Sequence, residues 1–178
     1  MVEAAVQELA EVGVGGFSLN SVAARAGTAK RSIYARWPGR DELISAGLAE
    51  LAITLQPPDT GELAEDLRQL FNQAVALLEE PRWSVLMRCA VELRGRPALH
   101  RQVREATVER SLKAVVSCLE EAHERGELRE GVNTALVAES FVNTIVGFGT
   151  GTARSMEDVR AVREDLVGLL LGGLAAHR

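Results

Sequence analysis

Apolar side chains recur at intervals of three and four along nearly the whole chain, a spacing that suits helices and little else. Val108, Leu112, Val115, Leu119 and Ala122 step by four and three through one segment. No β-branched alternation is long enough to suggest a sheet. The expected fold is therefore all-α, with about nine helices bounded by glycine and proline signals.

A stripe of Val2, Ala5/Val6 and Leu9 runs into Gly13, Gly15 and Gly16. Ser18 is a good N-cap for a short second helix, with Leu19, Val22, Ala23 and Ala26 facing inward before Gly27 ends it. Thr28 can cap a third, carried by Ile33 and Trp37 as far as Pro38-Gly39. Leu43, Ala46/Gly47 and Leu51 mark a fourth. Gln56-Pro57-Pro58-Asp59-Thr60-Gly61 has the composition of a linker and divides the chain into a small domain, 1–55, and a larger one, 56–178. Longer helices follow: one on Leu63, Leu67, Leu70/Phe71 and Leu77/Leu78, one from Pro81 to near Gly95, and one from Pro97 to Gly126. Phe141, Ile145 and Phe148 belong to an eighth, and Val159, Val162, Leu166, Leu169 and Leu174 to a ninth.

Hydrophobic residues make up 47% of the chain and charged residues 25%, the usage of ordinary globular proteins. The longest apolar stretch, Leu166 to Ala176, is far shorter than the roughly 20 residues of a membrane span. Met1-Val2-Glu3 lacks the features of a secretory signal, so the expected compartment is the cytoplasm, without a membrane partner. Cys89 and Cys118 stand alone and read as small buried hydrophobes, with a redox sensor as the alternative. His100, His123 and His177 are scattered with no second ligand nearby, which gives no metal site. There is no Ser/His/Asp order, phosphate loop or paired-carboxylate motif, so neither an enzyme nor a cofactor is expected.

Charge is distributed unevenly. The net charge is −5, yet Val12 to Arg40 contains no acidic residue and carries Arg25, Lys30, Arg31, Arg36 and Arg40. One basic segment on an acidic body is the pattern expected when a single face meets phosphate. Two short helices around a glycine turn have the spacing of a helix-turn-helix. On the second, Ala29 to Trp37, Ile33 and Trp37 share an anchoring face and leave Lys30, Arg31, Ser32, Tyr34 and Arg36 outward. Such groups donate to guanine edges or to phosphate in a major groove.

The run Phe17-Ser18-Leu19-Asn20-Ser21-Val22-Ala23-Ala24-Arg25-Ala26-Gly27, continued by Lys30, Ile33-Tyr34, Arg36-Trp37-Pro38 and Arg40-Asp41-Glu42-Leu43, resembles the DNA-binding domain of the TetR family of repressors. The match covers roughly residues 2 to 50. The resemblance implies that Ser18 caps the second helix and touches phosphate, that Ala29 to Trp37 is the recognition helix, and that Arg40 meets the DNA backbone. The family usually has Ser where Ala29 stands, which passes capping and a phosphate contact to Thr28. A small residue is common where Arg31 stands, so Arg31 is either a base reader or a solvated arginine. Family members often begin with several basic residues; this sequence starts almost at the helix.

The same resemblance implies a homodimer on a double-stranded, pseudo-palindromic operator, and release by a small-molecule effector held in the C-terminal domain. The last two helices would pair with their copies as a four-helix bundle, aided by Gly147, Gly149 and Gly151. Trp83, Met87 and Val91 are four apart and can face Phe71, Phe141 and Phe148, giving an apolar effector pocket with Arg88, Asn143 or Thr144 as polar anchors. Each of these aromatics is also readable as plain core. A helical dimerisation or partner-binding protein without operator binding is the competing reading.

Overall fold

The computed structural model describes residues 1–52, 54–150 and 155–174. Gly151 and His177 lie outside them. In chain order the helices are α1 (Val2–Gly16), α2 (Leu19–Arg25), α3 (Lys30–Tyr34), α4 (Arg40–Glu50), α5 (Leu63–Leu78), α6 (Pro81–Glu92), α7 (Pro97–Glu124), α8 (Thr134–Thr150), α9 (Met156–Ala161) and α10 (Arg163–Leu174). A 3-10 turn, Leu93–Gly95, joins α6 to α7. No strand occurs among the described residues, so the fold is all-α as the periodicity requires. The expected ninth helix is broken at Val162 into α9 and α10. Ser155 starts α9 with a capping box, its hydroxyl accepting from the Asp158 N–H while the Asp158 carboxylate accepts from Ser155.

Two compact units form, one from residues 1–53 and 80–109, the other from 54–79 and 110–178. The sequence divides the chain once, near residue 56; by packing, the chain also crosses between units at 79/80 and 109/110. Helix α6 and the first turns of α7 therefore pack with α1 to α4. They do so because Leu86, Cys89, Leu93, Leu99 and Val103 join Ala5, Leu9, Val22, Ile33, Leu43, Ile44 and Leu48 in one buried cluster.

Within this first unit the helix ends are tied by charged side chains. Gly13, at φ +70, kinks α1, and the Glu92 carboxylate lies against the bared backbone where a Cβ would stand. The same carboxylate accepts from the Gly15 N–H at 2.6 Å. Arg88 donates to the carbonyls of Leu9 and Ala10 at 2.5 and 2.6 Å, satisfying groups freed by the kink. Gly47 on α4 lets α1 approach: a Cβ there would sit 3.0 Å from Leu9 Cδ1.

The second unit has an apolar core of Leu63, Leu67, Leu70, Phe71, Val115, Leu119, Phe141, Ile145, Val159 and Val167. Its proline-rich segment is pinned to that body. The Gln56 N–H donates to Gln73 Oε1 and Gln73 Nε2 donates to the Gln56 carbonyl, at 2.8 and 3.0 Å. Fully buried Asp66 accepts from the Thr60 N–H and hydroxyl through Oδ1, at 3.0 and 2.7 Å, and its Oδ2 lies 3.6 Å from Arg125. Gly126, at φ +76, ends α7. Beyond it Glu127 accepts from the Leu63 N–H at 2.8 Å, and Arg129 closes the end of α10 by donating to Gly173 and Leu174 carbonyls. Leu166 packs into this core, whereas Leu169 is 75% exposed.

Candidate nucleic-acid interface

Local chemistry fixes the helix-turn-helix. Ser18 Oγ accepts from the Ser21 N–H at 3.4 Å and starts α2, whose Leu19, Val22 and Ala23 are buried. Gly27 takes φ +58 and the Thr28 N–H returns to the Ala23 carbonyl at 3.0 Å, a glycine-closed helix end. The next helix follows at once. Ile33 has no exposure, and Trp37 packs half-buried on the same core, with its N–H donating to the Ile33 carbonyl at 2.9 Å.

With that face inward, Lys30, Arg31, Tyr34 and Arg36 are exposed and Ser32 is half-buried. Lys30 Nζ lies 5.8 Å from the Tyr34 ring centroid, close enough for the ring face to attract the ammonium. The side chains of Arg31 and Arg36 make no ion pair with another described residue. Regular helix covers only Lys30–Tyr34, and its N-cap is Ala29 without a side-chain bond, so Thr28 does not make the cap expected of it. The N-cap position falls on Ala29, which has no side-chain oxygen to accept a bond, and Thr28 stands one residue too early.

Two of the five cations in the acid-free segment serve the fold. Arg25 pairs with Glu11 through two nitrogens and donates from Nε to Glu8 Oε2 at 3.1 Å. Glu11 first, then Glu8, raise the guanidinium above its ordinary range. Glu8 is buried, and it also accepts from the Ser21 hydroxyl at 2.5 Å, so this group joins α2 to α1. Arg40, expected at the DNA backbone, also donates to carbonyls of Val14, Gly15 and Phe17 and lies over the Phe17 ring. Its neighbour Asp41 accepts from Arg96 at 2.6 and 2.7 Å. Sequence reasoning missed Glu8, Asp41, Glu92 and Arg96; a carboxylate beside the apolar stripe of α1 was the one available signal.

The residues expected around an effector are divided between the units. Trp83, Met87 and Arg88 lie in the first, where Met87 packs on the core and Arg88 holds the end of α1. Phe71, Phe141, Asn143, Thr144 and Phe148 lie in the second. There Phe71 and Phe141 have no exposure, Phe148 is half-buried against the core, Asn143 is exposed, and the Thr144 hydroxyl donates to the Ser140 carbonyl at 2.7 Å.

Both cysteines are buried. Burial pushes the Cys89 thiol up to about 11 and the Cys118 thiol to about 12, with Glu92 and Asp66 respectively adding to the shift. Protonated thiols are poor nucleophiles, which favours the packing reading over the redox one. No helix among the described residues is long and apolar enough to cross a membrane.

Known proteins share this architecture. A family profile described as "Bacterial regulatory proteins, tetR family" matches residues 1–46, and one described as "Tetracyclin repressor-like, C-terminal domain" matches 57–163. The uncharacterized HTH-type transcriptional regulator Rv1556 of Mycobacterium tuberculosis is 27% identical over 144 residues, 79% of this chain and 67% of that protein. Among solved structures, the flavonoid-responsive regulator FrrA superposes with a TM-score of 0.75 at 21% identity, covering 99% of this chain and 96% of that one. The regulator FadR from Bacillus subtilis, in complex with stearoyl-CoA, gives 0.70 at 20% identity over 99% and 97%.

Proposed function

Because the chain belongs to the TetR family of bacterial transcriptional regulators, we propose that it is a ligand-responsive repressor that binds a pseudo-palindromic operator as a homodimer. One observation carries the DNA half: with Ile33 buried and Trp37 half-buried on the first unit's core, Lys30, Arg31, Tyr34 and Arg36 are exposed and Ser32 is half-buried beside them. In this reading α3 lies in the major groove, Arg31 and Lys30 read base edges, and Tyr34, Arg36, Ser18, Thr28 and Ala29 follow the phosphates. Arg40 acts indirectly, by fixing the α1–α2 connection on which the motif rests.

Dimerisation falls to the outer faces of α8 and α10. Leu136, Ser140, Asn143 and Gly147 form one exposed stripe, and Gly168, Leu169, Gly172 and Gly173 form another. Exposed leucines beside small residues suit close, isologous helix packing. The effector is a small apolar or aromatic molecule taken into the second unit beside Phe148, Ala74, Leu77 and Leu78, with Thr144 as polar anchor. Relatives of like fold are described as flavonoid-responsive and as bound to stearoyl-CoA, ligands with large apolar bodies. Acting on the chromosome, the protein works in the cytoplasm.

Selection from a random duplex pool tests the reading. The expected outcome is an enriched inverted repeat whose half-sites lie about one helical turn apart. Binding that enriches no sequence would contradict it. Apolar compounds that raise the melting temperature should weaken operator binding by the factor by which operator weakens theirs.

A further inference from the structure

The chain has a second stretch that is rich in arginine and free of acidic residues. Residues 94 to 104 hold Arg94, Arg96, His100, Arg101 and Arg104 and no Asp or Glu, on a chain of net charge −5. Arg96 turns away to Asp41. Leu99 and Val103 are buried in the first unit's core, which fixes the roll of α7. Consequently Arg94, Pro97, His100, Arg101 and Arg104 line one open pocket of about 370 Å³.

Nothing in the fold requires this convergence. Arg101 and Arg104 are three apart on α7, where like charges repel. The side chains of Arg94 and Arg101 make no hydrogen bond or ion pair with another described residue. Arg104, whose Nε lies 3.7 Å from Glu109, also lines the pocket. The first turn of α7 (Pro97–Glu124), where the helix dipole adds positive potential, contributes Pro97 and His100 to the lining.

We propose that this pocket is a binding site for the phosphate groups of a soluble polyphosphate-bearing molecule, separate from the DNA face and from the apolar effector site. Guanidinium groups take phosphate oxygens pairwise, and several converging on one point suit linked phosphates better than a single anion. The volume is that of a small-ligand pocket.

Calorimetric titration of the full chain with pyrophosphate and then tripolyphosphate, at constant ionic strength set with chloride, provides the test. The expected result is saturable binding of one molecule per chain, tighter for the longer anion. The double variant Arg94→Ala/Arg101→Ala should weaken it at least about tenfold, the loss of a charge-assisted contact. The single variant Arg101→Gln should give a smaller loss, with melting unchanged in both. Absence of saturable binding, or binding that survives the double substitution, overturns the proposal. A third arm measures operator affinity against salt. An unchanged slope in the double variant supports a soluble ligand; a slope shallower by about 0.9 per arginine assigns the residues to the DNA backbone and overturns it.

Discussion

Arginine is used differently in the two units. In the second, Arg68, Arg125, Arg160 and Arg163 each pair with a carboxylate, at Glu164, Glu127, Glu79 and Glu164 respectively. In the first, Arg25 and Arg96 also meet carboxylates, and Arg40 and Arg88 donate to backbone carbonyls as Arg129 does in the second, whereas Arg31 and Arg36 stand outward without such a tie. A positive charge count thus overstates a DNA surface. What separates a structural cation from a recognition cation is whether a carbonyl or carboxylate lies within its reach, and that depends on the packing of helices distant in sequence.

The comparison predicts where stability resides. Phe141→Ala, which empties a site of no exposure in the second unit, should cost about 3–5 kcal/mol in a denaturant melt. A loss below about 1 kcal/mol would mean that core is loosely packed. Next in size, Arg25→Ala leaves the buried Glu8 carboxylate with only the Ser21 hydroxyl and should lower the melting temperature clearly, though by less than Phe141→Ala. By contrast Arg31→Ala should stay within about 0.5 kcal/mol of wild type, since it touches nothing in the fold. Equal losses at the two positions would erase the distinction drawn here.

The smallest effect concerns the thiols. Cys89 and Cys118 hold their protons more tightly folded than unfolded, so the unfolded chain releases them first as pH rises. Their contribution to stability is full below the ordinary thiol range and declines as pH climbs toward about 11 and 12. At pH 8 a thiol-reactive chromophore should label neither cysteine until denaturant is added; rapid labelling of the native protein would restore the redox-sensor reading.

Much of this was legible in the sequence because the stop signals act locally. Gly13, Gly27 and Gly126 adopt positive φ where the helical stripes end, Pro38 follows α3, and Pro97 opens α7. Ile33 and Trp37, four apart, gave the orientation of α3 without tertiary information. The break at Val162 and the inward turn of Leu166 were not legible, since α10 is apolar on several sides and only its neighbours choose the buried one. Arg40 and Arg88 escaped for a related reason: their partners are backbone carbonyls, which carry no mark in sequence.

Whether α3 is the recognition helix is decided by the salt dependence of operator binding by wild type and by Lys30→Ala/Arg31→Ala, followed by fluorescence anisotropy on the selected sequence. The double variant should melt like wild type and lose specific binding at least about thirtyfold, as two base-reading side chains worth about 1–3 kcal/mol each require. Residual binding should be non-specific, with a slope shallower by up to about 0.9 for each phosphate that is no longer neutralised. A double variant that keeps wild-type affinity, slope and sequence preference would contradict the assignment of α3 as the recognition helix.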